Sequence, residues 1–545
     1  MRDTDTEWPV ASASSDRREA AGTPTEHVLA DASQAALLDS IEPASGLLRS
    51  TMWNWAGEFV MVVSGFVLPR LINNRMSQEE LGIWDFGWSI RSYVLLACGT
   101  LGSGANHYFA RYASSRQWPE LSRTLGAMLA LVIYASASAL LLTLGLVYFT
   151  PSLINTASLP LIGDARSLVL SMGLTSCITI LSVVFAGIIA GSSRFDRLNL
   201  IDGFSDVLLV GAVLTAVLTG AGLKVMGFCV LARELLNGLA KYWSARKIAP
   251  QVRARPRWAD RSMFRDIFGY SAKTVMLALS SLVQITPLVI ASVIGPAALA
   301  LYSRPRALIL ITTRFLMAFA RVLVPVASAF HGKQERRGEL GELFIRSTRY
   351  VMFLALPPAL VMLILGRALL RIWMGDEAYA DNHVLPILVL GYLPLFAQQA
   401  TYFILLGLAS HGLAGVASLG ASLASSGLSI LFVGVLRWGI DGAALATAIP
   451  IFVVNLCVLP YAGCRAADVP LLRYLRESLV SPLFSVIPFA AALLTARVWF
   501  SDEAKIQLLV GLIAGSSVLA PVYWHTVVPA DMKQRISHWR RRLLS

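Results

Sequence analysis

Apolar segments of about 20 residues recur from residue 52 to residue 528, separated by short polar stretches. A helix of that length spans the roughly 30 Å hydrocarbon core of a bilayer, whereas a membrane β-barrel requires alternating apolar and polar positions. The pattern predicts an all-α polytopic membrane protein with about 14 transmembrane helices. The predicted spans are 52–71, 86–106, 124–148, 167–190, 198–219, 222–244, 268–293, 297–326, 349–368, 384–407, 413–436, 439–462, 478–497 and 506–528.

The polar interruptions near 220, 295 and 437 are short and contain glycine, which predicts tight hairpin turns there. The densest basic segment, KYWSARKIAPQVRARPRWADRSMFRD, lies between spans six and seven, and the C-terminal end, MKQRISHWRRRLLS, is also basic. Because cytoplasmic loops of membrane proteins are enriched in Lys and Arg, this distribution predicts that both termini are cytoplasmic.

Composition agrees with a membrane protein and narrows the possible functions. The chain is 56% hydrophobic and 14% charged, with a formal net charge of +13. Anchoring of basic loops to anionic lipid explains this charge without nucleic-acid binding. The five cysteines form no CxxC pair, which argues against a metal centre, and the absence of a Walker A motif argues against ATP hydrolysis. No cofactor is expected.

An internal repeat is indicated at an offset of 217 residues. At this offset LGIWDF, from Leu81, falls on ALALYS, from Ala298, and Gly222 falls on Gly439. A repeat of six helices inserts both copies in the same orientation, so two lobes related by an axis along the membrane normal are expected. The predicted divisions are a disordered cytoplasmic tail (1–50), an N-terminal lobe (51–245), a basic linker (246–267), a C-terminal lobe (268–463), helices 13–14 (464–530) and a basic tail (531–545).

Charged residues inside the predicted spans are the candidate functional groups, because each costs roughly 2.5–3.5 kcal/mol near the bilayer centre on insertion scales. Arg306, Arg314 and Arg321 share one face of span eight, with spacings of about 12 and 10 Å along the helix. Arg91, Lys273 and Glu58 are the other candidates for substrate binding. The excess of positive charge predicts an anionic substrate, and the planar guanidinium suits phosphate.

Structural explanations exist for several of these charges. Asp206 and Arg233 can form an ion pair between neighbouring helices. Arg321 can extend to the inner interface and Arg304, near the start of span eight, to the outer one.

The chain resembles the Wzx-type flippases of lipid-linked oligosaccharides, in the superfamily that also contains MATE exporters and lipid II flippases. The resemblance covers about residues 50–500. It is carried by four segments: LPRLINNRMSQEELGIWDFGWSIR, AGIIAGSSRFDRLNLIDG, VIASVIGPAALALYSRPRALI and LVPVASAFHGKQE.

The resemblance implies a MATE-like pair of six-helix lobes that together expose one cationic central cavity alternately to the two sides of a bacterial inner membrane. The implied substrate is an undecaprenyl-pyrophosphate-linked repeat unit for surface polysaccharide, such as exopolysaccharide, moved from the cytoplasmic to the periplasmic leaflet. Polysaccharide polymerase and co-polymerase proteins are candidate partners. The YxxxR pattern of lipid II flippases maps to Tyr302 and Arg306, whereas span seven lacks the carboxylate of the sodium site that some relatives have.

Two other functions fit the sequence less well. A MATE-type drug or cation antiporter needs acidic cavity residues, and Glu58, Asp202 and Asp206 are the only candidates. A membrane glycosyltransferase or polymerase usually needs a large outer loop, and the predicted outer loops are short. The expectation is therefore a transporter and not an enzyme.

Overall fold

The computed structural model describes residues 65–99, 109, 112, 117–156, 158–192, 194–250, 284–330, 337–375, 379, 381–410 and 412–527. Within these ranges the chain is helical and contains no β-strand. The predicted N-terminal tail, most of the basic linker and the C-terminal tail lie outside the described residues, as do Glu58 and Lys273.

The first half of the chain forms lobe one around a central helix. Its helices are α1 (65–75), α2 (Gln78–Gly99), α3 (Trp118–Leu153), α4 (Leu159–Gly191), α5 (Phe195–Leu218) and α6 (Gly222–Ile248). Helix α4 packs against α2, α3 and α6, and α5 packs against α6.

The second half forms lobe two with more interruptions. Its helices are α7 (Thr286–Val293), α8 (Pro296–Ala320), α9 (Leu323–Ser328), α10 (Arg337–Ile364), α11 (Gly366–Met374), α12 (Val384–Ala397), α13 (Gln399–Gly407), α14 (Gly412–Ser429), α15 (Gly439–Val453) and α16 (Leu459–Ala467). Two π-helical segments, Ile430–Val435 and Val454–Val458, follow α14 and α15.

Four further helices complete the described chain. They are α17 (Leu471–Leu475), α18 (Ser481–Ser485), α19 (Ile487–Trp499) and α20 (Ala504–Thr526), with a π-helical segment, Arg476–Val480, between α17 and α18. Helices α19 and α20 pack against each other, and Phe489 and Leu493 of α19 pack with Leu365 of lobe two.

Nine helical stretches of the described residues are long and apolar enough to cross a membrane. The chain is therefore a multi-pass membrane protein, as predicted. Each predicted span overlaps a described helix, but the count of fourteen crossings stays a prediction because several helices are broken or only partly described.

Helix starts repeat at the predicted offset. Helices α5 and α14 begin 217 residues apart, at Phe195 and Gly412, and α6 and α15 do the same, at Gly222 and Gly439. Both glycines have positive φ, +76° and +65°, a backbone conformation that glycine adopts without steric cost. The hairpin turns predicted from glycine are present.

The helix bundle has two ends, the turn end and the linker end. The turn end carries the connections 154–158, 219–221, 294–295 and 436–438, and the linker end carries 192–194, 408–410 and 468–470. One large apolar core runs through both lobes and includes Leu81 and Phe86 of α2 together with Leu299 and Leu308 of α8.

Candidate functional site

The two lobes touch at the turn end, where α2 packs against α8. Gly82 lies so close to Pro296 that a Cβ at position 82 would overlap the Pro296 carbonyl. The Asn155 side-chain amide donates a hydrogen bond to the Val293 carbonyl at 3.1 Å, next to this contact. At the rim, Trp373 Nε1 donates to the Phe66 carbonyl at 2.7 Å. These contacts close the seam between the lobes at this end.

An ion pair joins the lobes within the seam. Arg304 of α8 binds Asp85 of α2, and their side chains are only 7% and 12% exposed. The expectation that Arg304 extends to the outer interface is not met, because α2 packs over this stretch of α8 and removes the path to the surface.

Exposure along α8 shows where the lobes separate. At 100° per residue, Arg304 and Leu308 share a face with Phe315, Phe319 and Val322. The first two residues are 6% and 5% exposed, whereas the other three are 50%, 46% and 67% exposed. The face that meets lobe one near the turn end is therefore uncovered further along, and the interlobe cleft opens toward the linker end.

Arg306 lies at the closed apex of this cleft, surrounded by tyrosine hydroxyls. Arg306 forms a side-chain hydrogen bond with Tyr392 of α12 and interacts electrostatically with Tyr302 of α8 and Tyr93 of α2. The Tyr93 hydroxyl donates to the Gln284 carbonyl at 2.7 Å, and the hydroxyls of Tyr302 and Thr447 are 3.0 Å apart. Arg306 has no ion-pair partner among the described residues, so its charge is available to a ligand.

Arg314 and Arg321 lie further along α8, in the stretch where its lobe-one face is uncovered. Both side chains are exposed, and neither forms an ion pair within the described ranges. Within the described part of the chain, the three arginines that the spacing predicts on one face are therefore positive charges without an ion-pair partner, and they run from near the turn end toward the linker end.

Arg91 belongs to a charge network inside lobe one. Its Nη2 atom lies 3.7 Å from Glu234 and donates to Thr179 Oγ1 at 3.5 Å. Arg233 binds Glu234 at 2.6 Å and also binds Asp206. The predicted Asp206–Arg233 ion pair is therefore present, and the four charges of this network cancel.

A second carboxylate of lobe one is also paired. Asp202 lies 2.8 Å from Lys241 Nζ and accepts a hydrogen bond from Asn237 Nδ2 at 2.9 Å. Together with the network above, this pairing accounts for the charged groups that α5 and α6 place against each other.

In lobe two, neutral hydroxyls occupy the space between α7, α14 and α15. The hydroxyls of Thr286 and Ser429 are 2.7 Å apart, and Thr447 and Ser425 complete the cluster, with Ser425 Oγ buried and without a hydrogen-bond partner in the described part of the chain. No group of three or more His, Cys, Asp or Glu residues able to hold a metal ion occurs among the described residues. Because these side chains are neutral, the cluster carries no negative charge.

Three residues of the site were missed from the sequence. Asp85 fell one residue before the predicted start of span two, whereas α2 actually begins at Gln78. A capping signal was available, because Ser77 and Glu80 form reciprocal hydrogen bonds at the start of α2. Tyr93 and Tyr392 carried no distinguishing signal within apolar helices.

Comparison with solved structures places this architecture among known transporters. The lipid II flippase MurJ in an inward closed conformation aligns with a TM-score of 0.63 and 15% identity, covering 88% of this chain and 100% of that one. An inward-facing multidrug resistance MATE family transporter of the MOP superfamily aligns at 0.61 and 15%, covering 77% and 95%. The chain therefore has a MATE-like fold. An outward-facing multidrug resistance MATE transporter aligns less well, at 0.54 and 13% identity, covering 77% and 95%.

Sequence comparison gives one family match. The profile of a family described as "Polysaccharide biosynthesis protein" matches residues 127–380, which is just under half of the chain and runs from α3 to the connection after α11. Comparison with curated protein sequences gives no significant match. The resemblance predicted from the sequence is therefore confirmed at the level of a MATE-like fold that contains a polysaccharide-biosynthesis match.

Proposed function

We propose that the chain is a flippase that moves undecaprenyl-pyrophosphate-linked oligosaccharide repeat units from the cytoplasmic to the periplasmic leaflet of a bacterial inner membrane, for surface polysaccharide synthesis. The carrying observation is the row Arg306, Arg314 and Arg321 along α8, a helix whose lobe-one face is covered near the turn end and exposed toward the linker end. Guanidinium groups without counter-ions stabilise a phosphate that must leave water.

The shape of the cleft supports alternating access. With the termini placed in the cytoplasm, the linker end faces the cytoplasm and the turn end faces the periplasm. The described conformation then receives a substrate from the cytoplasmic leaflet. Arg321 and Arg314 are met first, and Arg306 with its tyrosines marks the end of the inward path. The reaction changes no covalent bond, so the protein acts as a transporter.

A MATE-type cation antiporter is less well supported. Such a protein needs carboxylates free to bind a cation or a proton. In the described parts of lobe one, Asp85, Asp202, Asp206 and Glu234 are each paired with a base. The uncompensated charges of the described cleft are positive, which favours an anion.

Export in a strain that lacks the gene tests the proposal. Wild type, Arg314→Ala and the control Arg346→Ala are compared at matched membrane abundance. Arg346 is a suitable control because its side chain is 64% exposed and pairs only locally with Glu342, on α10. Surface polysaccharide and lipid-linked repeat units on the cytoplasmic leaflet are quantified.

We expect the gene deletion to abolish polymer and to accumulate the lipid-linked unit. Arg314→Ala should reduce export about tenfold or more, the equivalent of one strong charged contact, while Arg346→Ala restores wild-type export. Normal export by the deletion strain would contradict the proposed function. Normal export by Arg314→Ala would remove Arg314 from the pathway.

A further inference from the structure

Asp85 and Arg304 form the one ion pair that connects the two lobes within the described part of the chain. Both side chains are nearly buried, in a seam otherwise made by apolar packing between α2 and α8. A charged pair in such a position contributes little net stability but is costly to break on one side. A pair that adds little net stability but is costly to break on one side is suited to a contact that opens only when one of its charges finds another partner.

The carboxylate of Asp85 also lies close to the proposed phosphate site. Arg304 and Arg306 are two residues apart on α8, and Asp85 lies within Coulombic reach of both, with the Ser303 hydroxyl beside it. Asp85 Oδ2 is buried without a hydrogen-bond partner among the described residues, as is Arg304 Nε. The pair is thus incompletely satisfied, and Asp85 is the nearby anion for Arg306, which has no ion-pair partner of its own among the described residues.

We propose that Asp85 is a stand-in anion for the substrate phosphate and couples substrate binding to opening of the turn end. While the cleft is empty, Asp85 neutralises Arg304 and holds α2 against α8. When a pyrophosphate binds Arg306, its negative charge repels the Asp85 carboxylate and competes for Arg304. The ion pair then breaks and the seam loses its one charged contact between α2 and α8.

This mechanism rests on the proposed function and adds a requirement to it. The trigger is the charge of the phosphate and not the isoprenoid chain, so an uncharged prenyl alcohol leaves the seam closed. A cleft without Asp85 has lost the anion that closes it, so its seam is open whether or not a ligand is present.

The test measures access to the seam in the purified full-length chain in lipid nanodiscs. The five native cysteines are replaced and one reporter is introduced by Ala300→Cys, because Ala300 is fully buried in the apolar core on α8. The rate of labelling by a water-soluble maleimide is measured without ligand, with farnesyl pyrophosphate and with farnesol. Binding of farnesyl pyrophosphate is measured separately, with Arg306→Gln as the comparison.

We expect farnesyl pyrophosphate to raise the labelling rate at least fivefold and farnesol to leave it unchanged. Asp85→Asn should label at the raised rate without ligand and show no further increase, and Asp85→Glu, which keeps the charge, should label slowly. Asp381→Asn is the matched control, since it removes a carboxylate from an exposed pair with Arg367 within lobe two.

The outcomes separate this inference from the proposed function. Binding without a change in labelling, or slow labelling of Asp85→Asn, overturns the role of Asp85 and leaves the flippase proposal standing. Equal binding by wild type and Arg306→Gln overturns the phosphate site itself. An increase with farnesyl pyrophosphate that is the same in Asp85→Asn as in wild type overturns the coupling.

Discussion

Arginines of α8 that look alike in the sequence have different surroundings in the structure. Helical spacing predicts that Arg306, Arg314 and Arg321 share one face, because that relation depends only on the period of the helix. The partner of Arg304 could not be predicted in the same way. It comes from lobe one, 219 residues away in the chain, and depends on how the lobes pack.

Arg91 shows the same limit of sequence reasoning. Its position inside a span suggested substrate binding, but its neighbours Glu234 and Arg233 are brought near it because α4 packs against both α2 and α6.

Arg233 and Arg91 are therefore expected to differ in their effects on stability. Arg233→Gln leaves Asp206 without its partner and weakens the hold on Glu234, so it should cost about 3–5 kcal/mol, as for a broken buried ion pair. Arg91→Gln should cost less, because Glu234 keeps Arg233 at 2.6 Å. Thermal unfolding of the purified variants measures the difference. If Arg91→Gln leaves unfolding unchanged and still abolishes export, Arg91 belongs to the transport pathway.

At the scale of elements, the sequence predicted most helices and hairpins because each needs only local information. Apolar length identifies a spanning helix, and glycine identifies the turns at 220, 295 and 437. The predicted start of span two, residue 86, lies eight residues after the first residue of α2, Gln78. The first two turns of α2 are polar and include Glu79 and Glu80, so apolar length did not identify them as helical. In the structure they are covered by α8 and by the connection that contains Thr156.

The close approach of α2 and α8 depends on Gly82. Gly82→Ala places a methyl group into the Pro296 carbonyl, so the lobes cannot close at the turn end as described. We expect maleimide labelling of the Ala300→Cys reporter to rise several-fold and export to fall. Gly211→Ala is the control, because Gly211 lies within α5 with no atom near its Cβ position. Slow labelling of Gly82→Ala would show that the seam adjusts without opening.

At the scale of the whole molecule, the two lobes form a cleft closed at the turn end and open toward the linker end. The offset of 217 residues was readable from the sequence, because it recurs in turn glycines and helix starts. The conformation was not readable, since the contacts that close one end join residues far apart in the chain, such as Asn155 with Val293 and Trp373 with Phe66.

The proposed function requires that this chain alone carries a lipid-linked oligosaccharide across the bilayer. The most direct test reconstitutes the purified protein in liposomes with lipid-linked repeat units extracted from the deletion strain, and follows the fraction that an impermeant glycan-oxidising reagent can reach. Wild-type protein should make the whole pool reachable within the assay, while Arg306→Gln should move it at least tenfold more slowly. If correctly folded wild-type protein moves the lipid-linked unit no faster than protein-free liposomes do, the chain is not a flippase for this substrate.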